Sequence, residues 1–131
     1  MSFGLTDSVR HPKVYAYSID EYATETWVGP REGKGLIKVG YTERDVNTRI
    51  REQLQNVKMP SETLYQLHLA EAAVTADGAV FRDRSVHEAL EKAGVHRREG
   101  EWFECTAEEV RAATNAVKRG AKLDSLRHKA H

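Results

Sequence analysis

Two tyrosines, a lysine and an arginine are the residues of this sequence whose types and spacing could do chemistry together. Tyr15 and Tyr17 lie two residues apart, and Lys38 and Arg49 follow in the next two predicted elements. The planar, permanently charged guanidinium of Arg49 matches two oxygens of a phosphate group, and a nearby lysine adds a point charge. A cation also lowers the pKa of a neighbouring phenol, which is ordinarily about 10. These side chains would suit chemistry on a phosphate if the fold brings them to one surface.

Two predicted strands and a helix must position these side chains. In the first strand, Lys13–Ile19, successive side chains alternate between faces, so the two tyrosines share a face. The second strand, Leu36–Thr42, places the lysine beside a glycine on one face. The helix, Asp45–Leu54, carries the arginine next to an apolar stripe with four-residue spacing, which we expect to be buried. Tyrosine, lysine and arginine are thus predicted to converge.

The rest of the chain predicts one more strand and two more helices. The strand alternates leucines with polar residues, the second helix has Val80 in its buried stripe, and the last helix opens with a capping box from Thr106 to Glu109. The segments are Thr63–Leu69 (strand), Ala79–Ala93 (helix), Arg97–Gly100 (polar turn), Glu101–Glu104 (apolar patch) and Ala107–Lys118 (helix). The predicted fold class is α+β, with a small central antiparallel three-stranded sheet flanked by helices.

The length of 131 residues fits one domain. We expect residues 1–12 to form an N-terminal arm, residues 13–119 the domain, and residues 120–131 a basic tail or the start of a linker to a further domain. No apolar run approaches the ~18 residues that a membrane helix needs, and the N-terminus lacks a signal peptide. We therefore expect a cytoplasmic protein that does not associate with a membrane. The single cysteine, Cys105, cannot form an intramolecular disulfide, and we assign it no chemistry.

The charge balance restricts how the chain could bind a polyanion. Its 20 basic and 20 acidic residues cancel, so any contact with nucleic acid must be local. Basic side chains near the proposed surface are candidates for such a contact, although for any one of them solvated surface is the simpler interpretation; they are Lys34, Arg44, Arg51, Arg97 and Arg98. Trp27, in the long loop between the first two strands, either packs as a lid, which we favour, or stacks on a base.

Several short motifs follow one another in a fixed order along the chain. They are Val14–Tyr15, Lys38–Gly40, Arg49, Asp83 and Glu101–Phe103. In this order the sequence resembles the GIY-YIG endonuclease family over residues 13–104, in particular the branch whose second motif begins with lysine. Three positions depart from that family's pattern: lysine replaces glycine at Lys13 and tyrosine at Lys38, and Asp83 stands where glutamate is usual.

The resemblance implies a DNA endonuclease that depends on Mg²⁺ or Mn²⁺. Tyr15 would be the base that prepares the attacking water, with Tyr17 in reserve. Lys38 and Arg49 would stabilise the charge on the phosphate, and Asp83 would bind the metal ion. Specificity for DNA would come from a further domain or from a homodimer, because a domain of this size has little surface for reading a sequence.

The position of Asp83 leaves alternatives open. Its carboxylate is set back by about 1.5 Å relative to that of glutamate, which would disturb a Mg²⁺ site that needs near-octahedral geometry. A catalytically weak or inactive nucleic-acid-binding module is therefore the second hypothesis, and a protein-interaction domain that uses the Trp27 loop is the third. Asp83 and His87 lie one helical turn apart, and such a pair is either a metal site or a simple surface pair.

Overall fold

An antiparallel sheet is the framework of the structure, a computed structural model that describes residues 11–19, 35–60 and 63–120. Within these residues the chain order is β1 (Lys13–Ile19), β2 (Gly35–Thr42), α1 (Val46–Asn56), β3 (Tyr65–Ala72), α2 (Asp83–Lys92), β4 (His96–Glu99), β5 (Trp102–Cys105) and α3 (Ala107–Lys118). The strands lie in the order β3-β1-β2-β5-β4, and each neighbouring pair is antiparallel. The fold is α+β, as the sequence predicts.

β1 divides its side chains between two cores, because side chains alternate along a strand. Val14 and Ala16 are buried against apolar side chains of α2 and α3, on one face of the sheet. Tyr15 and Tyr17 are buried on the other face, under α1. The stripe by which α1 covers them has the predicted four-residue spacing and consists of Val46, Ile50 and Leu54. The predicted sharing of one face by the two tyrosines is thus confirmed.

Side-chain caps fix where two of the helices begin. The Asp45 carboxylate accepts a hydrogen bond from the Thr48 backbone amide at 2.9 Å, one turn into α1. At α3 the Glu109 amide donates to the Thr106 hydroxyl at 3.1 Å, and the Thr106 amide donates to the Glu109 carboxylate at 3.0 Å. This reciprocal arrangement is the predicted capping box, and the predicted bounds of the last helix are confirmed.

The predicted sheet of three strands is wrong, because the structure adds two strands, β4 and β5. β5 pairs with β2 as far as Lys38 and Trp102, and β4 pairs with β5 at the edge. Each strand has four residues, and all four side chains of β4 are exposed, so no alternation of apolar residues marks them in the sequence. The predicted polar turn Arg97–Gly100 and apolar patch Glu101–Glu104 are therefore largely strand.

The bounds of two other elements also differ from the prediction. α2 begins at Asp83 and not at Ala79, because the chain first forms an isolated bridge between Val74 and Val80. Val80 is consequently 59% exposed, although its spacing had suggested a buried position. The third strand runs from Tyr65 to Ala72, two to three residues later than predicted at each end. Both shifts occur where local spacing competes with pairing to distant parts of the chain.

Some predictions fall outside the described residues or concern single features. Nearly all of the N-terminal arm and the basic tail, together with Lys34 and Trp27, lie outside them. Cys105 is buried, in agreement with its assignment as a packed apolar residue. Among the described helices, none combines the length and apolar character that crossing a membrane requires.

Candidate active site

The ring of Tyr15 lies directly over Gly40 of the neighbouring strand. The two residues are partners in the antiparallel pair of β1 and β2, so their side-chain positions point to the same face. A Cβ atom added at Gly40 would lie 2.5 Å from both the Cζ and the hydroxyl oxygen of Tyr15. Only glycine leaves room for the ring, which is fully buried. The second strand thus supplies a glycine where the site needs close approach.

The Tyr15 hydroxyl is buried without a hydrogen-bond partner among the described residues. Burial raises the pKa of Tyr15 to about 12; the Arg49 guanidinium and the nearby Gln53 side chain oppose this shift, while the carboxylates of Glu101 and Asp83 add to it. The predicted lowering of this pKa by Lys38 is therefore wrong: burial raises the pKa and outweighs the opposing charge of Arg49. At neutral pH Tyr15 is a neutral hydrogen-bond donor.

Tyr17 has a different environment, although it lies on the same face. Its hydroxyl donates to the Gln53 side-chain oxygen at 3.2 Å. The rings of Tyr65 and Trp102 meet its ring edge to face, with centroids 5.8 and 5.7 Å away. Tyr17 is buried within this aromatic group, which fits ordinary strand packing.

Lys38 lies between an aromatic ring and a carboxylate. Its Nζ atom is 3.9 Å from the Glu101 Oε1 atom and 5.7 Å from the centroid of the Trp102 ring. Only 16% of its side chain is exposed. Burial lowers the pKa of Lys38, and the Glu101 carboxylate partly counteracts that shift.

Arg49 lies at the solvent-exposed side of the same group. Its Nη1 atom is 3.4 Å from the Glu52 carboxylate, and the Arg44 guanidinium reaches the same Glu52 oxygen at 2.5 Å. The charge of Arg49 acts on Tyr15 and on Lys38, as the shifts in their pKa values show. Arg49 therefore belongs to the electrostatic surroundings of the buried Tyr15 and Lys38.

Asp83 and His87 connect α2 to the central strand. The His87 Nε2 atom is 2.8 Å from the Val39 carbonyl oxygen and 3.9 Å from Asp83 Oδ2. A carbonyl oxygen only accepts, so Nε2 carries the proton and is not available as a metal ligand. His87 is also buried against Phe103, so the pair is not a simple surface pair. Its role is to anchor the first turn of α2, which carries Asp83.

Glu101 belongs to the same site, although its charge was not singled out in the sequence. Its carboxyl group lies within hydrogen-bond reach of the Asp83 carboxyl group. Burial raises the pKa of Glu101, and the Asp83 charge raises it further, against the opposing effect of Lys38. The signal in the sequence is a carboxylate just before Trp102, but its meaning depends on the pairing of β5 with β2, which the sequence did not reveal.

The predicted nucleic-acid-binding arginines near α1 are already engaged in contacts. The Arg51 guanidinium donates to the Thr63 carbonyl at 3.0 Å and lies 5.0 Å from the centroid of the Tyr65 ring. These contacts tie α1 to the start of β3. Arg44 forms an ion pair with Glu52 and remains largely exposed. The exposed group of Arg44, Arg49 and Glu52 is called the mouth of the site below.

The remaining predicted arginines lie on the edge strand β4. Arg97 pairs with Glu91 at 3.1 Å, and Arg98 pairs with Glu104 at 3.5 Å. β5 and β2 separate this strand from β1, so the structure does not bring these arginines together with those of α1.

The donor set determines which metal ions the site could bind. In the parts of the chain that the structure describes, no group of three or more His, Cys, Asp or Glu side chains is arranged to bind a metal ion. The two carboxylates of Asp83 and Glu101 nevertheless provide oxygen ligands, which suit Mg²⁺ or Mn²⁺ when water completes the coordination.

A comparison with protein families identifies the family of this chain. Residues 14–118 match the family described as the T5orf172 domain. The chain belongs to the T5orf172 domain family. T5orf172 domains are associated with nucleases and DNA binding, which is consistent with a function on nucleic acid. No curated protein and no solved structure matches the chain.

This family membership corrects the assignment made from the sequence. The resemblance to the GIY-YIG family is wrong as a family assignment, because the family shown is a different one. The motifs that carried it span two or three residues each, and buried tyrosines and a glycine on paired strands also satisfy the packing of the sheet. The candidate site consequently depends on its geometry in the T5orf172 domain and not on those motifs.

Proposed function

We propose that this T5orf172 domain hydrolyses phosphodiester bonds in DNA with the aid of Mg²⁺ or Mn²⁺. One observation carries the proposal: a buried hydroxyl without a partner among the described residues, Tyr15, lies within the electrostatic reach of a guanidinium and two carboxylates. A protein that only binds DNA has no need to bury such a group. Buried polar atoms without partners are uncommon, and a catalytic role or a bound ion or water is among their explanations.

The cations of the site suit a phosphate that carries extra charge. Arg49 presents a planar fork at the exposed side and would bind two phosphate oxygens after leaving Glu52. Lys38 is mostly buried, so its charge acts with little screening from water. Together they would stabilise the negative charge that grows on the phosphate during hydrolysis.

Tyr15 and Asp83 have complementary roles in this proposal. With a pKa of about 12, the Tyr15 hydroxyl stays protonated and would donate a hydrogen bond to a phosphate oxygen. The Asp83 carboxylate, at the N-terminus of α2, would bind the metal ion. When bound, Mg²⁺ or Mn²⁺ supplies Lewis-acid stabilisation of the leaving 3′ oxygen.

Cleavage of plasmid DNA in the presence of Mg²⁺ or Mn²⁺ tests the proposal, with Arg49→Ala as the decisive variant. Loss of a charge aimed at the transition state costs ~10²-fold or more in rate. Loss of one phosphate contact should weaken DNA binding only modestly and reduce its salt slope by about one unit. Arg84→Ala is the matched control, because Arg84 is 87% exposed on α2 and pairs only with Glu88 among the described residues.

Two outcomes would contradict the proposal. If the purified protein leaves supercoiled, linear and single-stranded DNA intact with either metal ion, the domain is not this nuclease. If Arg49→Ala cleaves as fast as the unaltered protein, the reaction takes place elsewhere or in a contaminant.

A DNA-binding module without catalysis is the second candidate function. The ion pair between Arg49 and Glu52 favours it, because a neutralised guanidinium is less available to a transition state. Binding of DNA without cleavage, together with equal losses of affinity in Arg49→Ala and Arg44→Ala, would support this candidate.

A further inference from the structure

We propose that Asp83 and Glu101 together form a two-carboxylate site for one divalent cation, Mg²⁺ or Mn²⁺, within electrostatic reach of the buried Tyr15 hydroxyl. This inference rests on the proposed nuclease function for its biological purpose, but the binding site itself can be tested without DNA. It adds Glu101 to the residues of the site, and that residue was not assigned any role from the sequence.

The backbone of one β2 residue, Val39, contacts both segments that carry the carboxylates. The Val39 amide donates to the Glu101 carbonyl oxygen at 3.1 Å, and the Val39 carbonyl accepts from His87 Nε2 at 2.8 Å. His87 lies one helical turn after Asp83, so its bond to β2 sets the position of the first turn of α2. The contacts of Val39 therefore fix the backbone positions of Glu101 and of the helical turn that carries Asp83.

The pairing of β5 with β2 ends close to the two carboxylates. β5 pairs with β2 only as far as Lys38 and Trp102, whereas β1 pairs with β2 through to Thr42. Beyond Lys38, the edge of β2 opposite β1 has no strand partner among the described residues. The Val39 carbonyl at this edge accepts a hydrogen bond from the His87 side chain of α2 instead. The two carboxyl groups meet at this end of the β5 pairing.

Electrostatics favours a cation between these groups. Two carboxylates within hydrogen-bond reach repel each other when both are ionised. Lys38, at 3.9 Å from Glu101, supplies one positive charge, but its Nζ atom also faces the Trp102 ring. A hard divalent cation relieves the repulsion directly, and Mg²⁺ typically takes one or two carboxylates while keeping several waters.

The Tyr15 hydroxyl is the independent observation that points to a ligand. It is fully buried and has no hydrogen-bond partner among the described residues. The charges of Glu101 and Asp83 both raise its pKa. A water held at such a site would give that hydroxyl its missing partner. A pair of carboxylates that served only to fix the fold would not account for an unpartnered buried hydroxyl within reach of its charges.

Binding of Mn²⁺ to the DNA-free protein, followed by electron paramagnetic resonance, tests the inference. The unaltered protein should bind one Mn²⁺, and Glu101→Gln and Asp83→Asn should each weaken that binding about tenfold or more, since even residues that only support metal ligands have effects of that size. Mg²⁺ should displace the Mn²⁺. Glu88→Gln, a change of the same kind on the exposed face of α2, should leave the affinity unchanged.

The variants are expected to fold, which circular dichroism would verify. Glu101 makes its bond to Val39 through its backbone, which the substitution leaves in place, and a glutamine side chain can still hydrogen-bond Asp83. Glu101→Asp is a second variant that keeps the charge, and it should retain more of the Mn²⁺ affinity than Glu101→Gln. Equal affinity in the unaltered protein and in Glu101→Gln would overturn the inference, as would the absence of any Mn²⁺ binding at millimolar concentration.

The two proposals can fail separately. If Mn²⁺ binds as described but DNA is never cleaved, the two-carboxylate site stands and the nuclease function falls. If DNA is cleaved and Glu101→Gln cleaves with an unchanged requirement for Mg²⁺, the nuclease function stands and the two-carboxylate site falls.

Discussion

The two faces of the sheet are built on different principles, although the same strands supply both. On the face under α2 and α3 the core is apolar, and a buried polar group such as the Thr114 hydroxyl is satisfied by the Val110 carbonyl at 2.8 Å. On the face under α1 the core contains two buried tyrosines, and the hydroxyl of Tyr15 lacks a partner among the described residues. The first face is consistent with selection for stability, whereas the second carries a cost that a function at Tyr15 would explain.

Leu90→Ala, on the apolar face, should have the largest effect on stability. Leu90 is a fully buried residue of α2, and truncation of such a residue lowers the free energy of unfolding by about 2–5 kcal/mol. Urea unfolding would measure the loss, with Val57→Ala, at an exposed position, as a control that should change it by less than about 0.5 kcal/mol. Mn²⁺ affinity per folded molecule should not change. A large loss of Mn²⁺ affinity would mean that the two faces are not independent.

Gly40→Ala should have the next largest effect, this time on the face under α1. The added Cβ would collide with the Tyr15 ring, and overpacking of this kind typically costs about 1–3 kcal/mol. DNA cleavage should fall as well, because the ring must move. Gly35→Ala is the matched control on the same strand, since its Cβ would meet no atom of the described residues within 4 Å. Unchanged stability in Gly40→Ala would show that the ring can move at little cost.

The two tyrosines should respond in opposite directions to removal of their hydroxyl groups. Tyr15→Phe removes a buried group without a partner among the described residues and should raise the free energy of unfolding by about 1 kcal/mol, while cleavage falls. Tyr17→Phe removes a hydrogen bond to Gln53 and should lower it by about 0.5–1.5 kcal/mol, with cleavage retained. Equal changes in both variants would remove the distinction between a functional and a packing tyrosine.

Alkaline unfolding provides a second measurement of the same difference. The pKa of Tyr15 is about 12 in the folded protein, and that of a tyrosine in an unfolded chain is about 10. Between these values the unfolded chain releases the proton and the folded protein retains it, so stability falls as pH rises from ~10 to ~12. Tyr15 contributes no pH dependence below ~10. The fall should be smaller in Tyr15→Phe than in the unaltered protein.

Much of the fold was predictable because local patterns determine it. The alternation in β1, the stripe of α1 and the capping box of α3 each need only neighbouring residues, and each is observed. β4 and β5 were missed because their four-residue segments become strands only through pairing with β2, which is distant in the sequence. Local patterns therefore identified the elements with strong periodicity and missed those that depend on partners.

The site shows the same limit. The alternation along the strands was enough to predict that Tyr15 lies beside the strand of Lys38. The nearby cations, however, suggested a lowered pKa for Tyr15, whereas burial raises it. Burial depends on the packing of α1 over the sheet, which the sequence does not quantify. Glu101 joins the site through the pairing of β5 with β2, so finding it required the strand that the sequence analysis did not predict.

The smallest effect is expected from Glu52→Gln, at the exposed mouth of the site. Hydrogen bonding to Arg44 lowers the pKa of Glu52, so its carboxylate stays charged and neutralises both Arg44 and Arg49. Removal of that charge should strengthen DNA binding by only a few-fold, because interactions between exposed charges are weak and screened by salt.

A filter-binding titration at low and high salt would measure the change, with Glu88→Gln as the control for the gain of one positive charge. The increase in affinity should be larger at low salt and nearly absent at high salt. Weaker binding in Glu52→Gln would mean instead that the carboxylate positions the two arginines for DNA. In that case the ion pair of Glu52 with Arg44 and Arg49 would be a structural contact, as the Thr114 hydrogen bond is on the apolar face. The contrast between the two faces would then be confined to Tyr15 and the carboxylates near it.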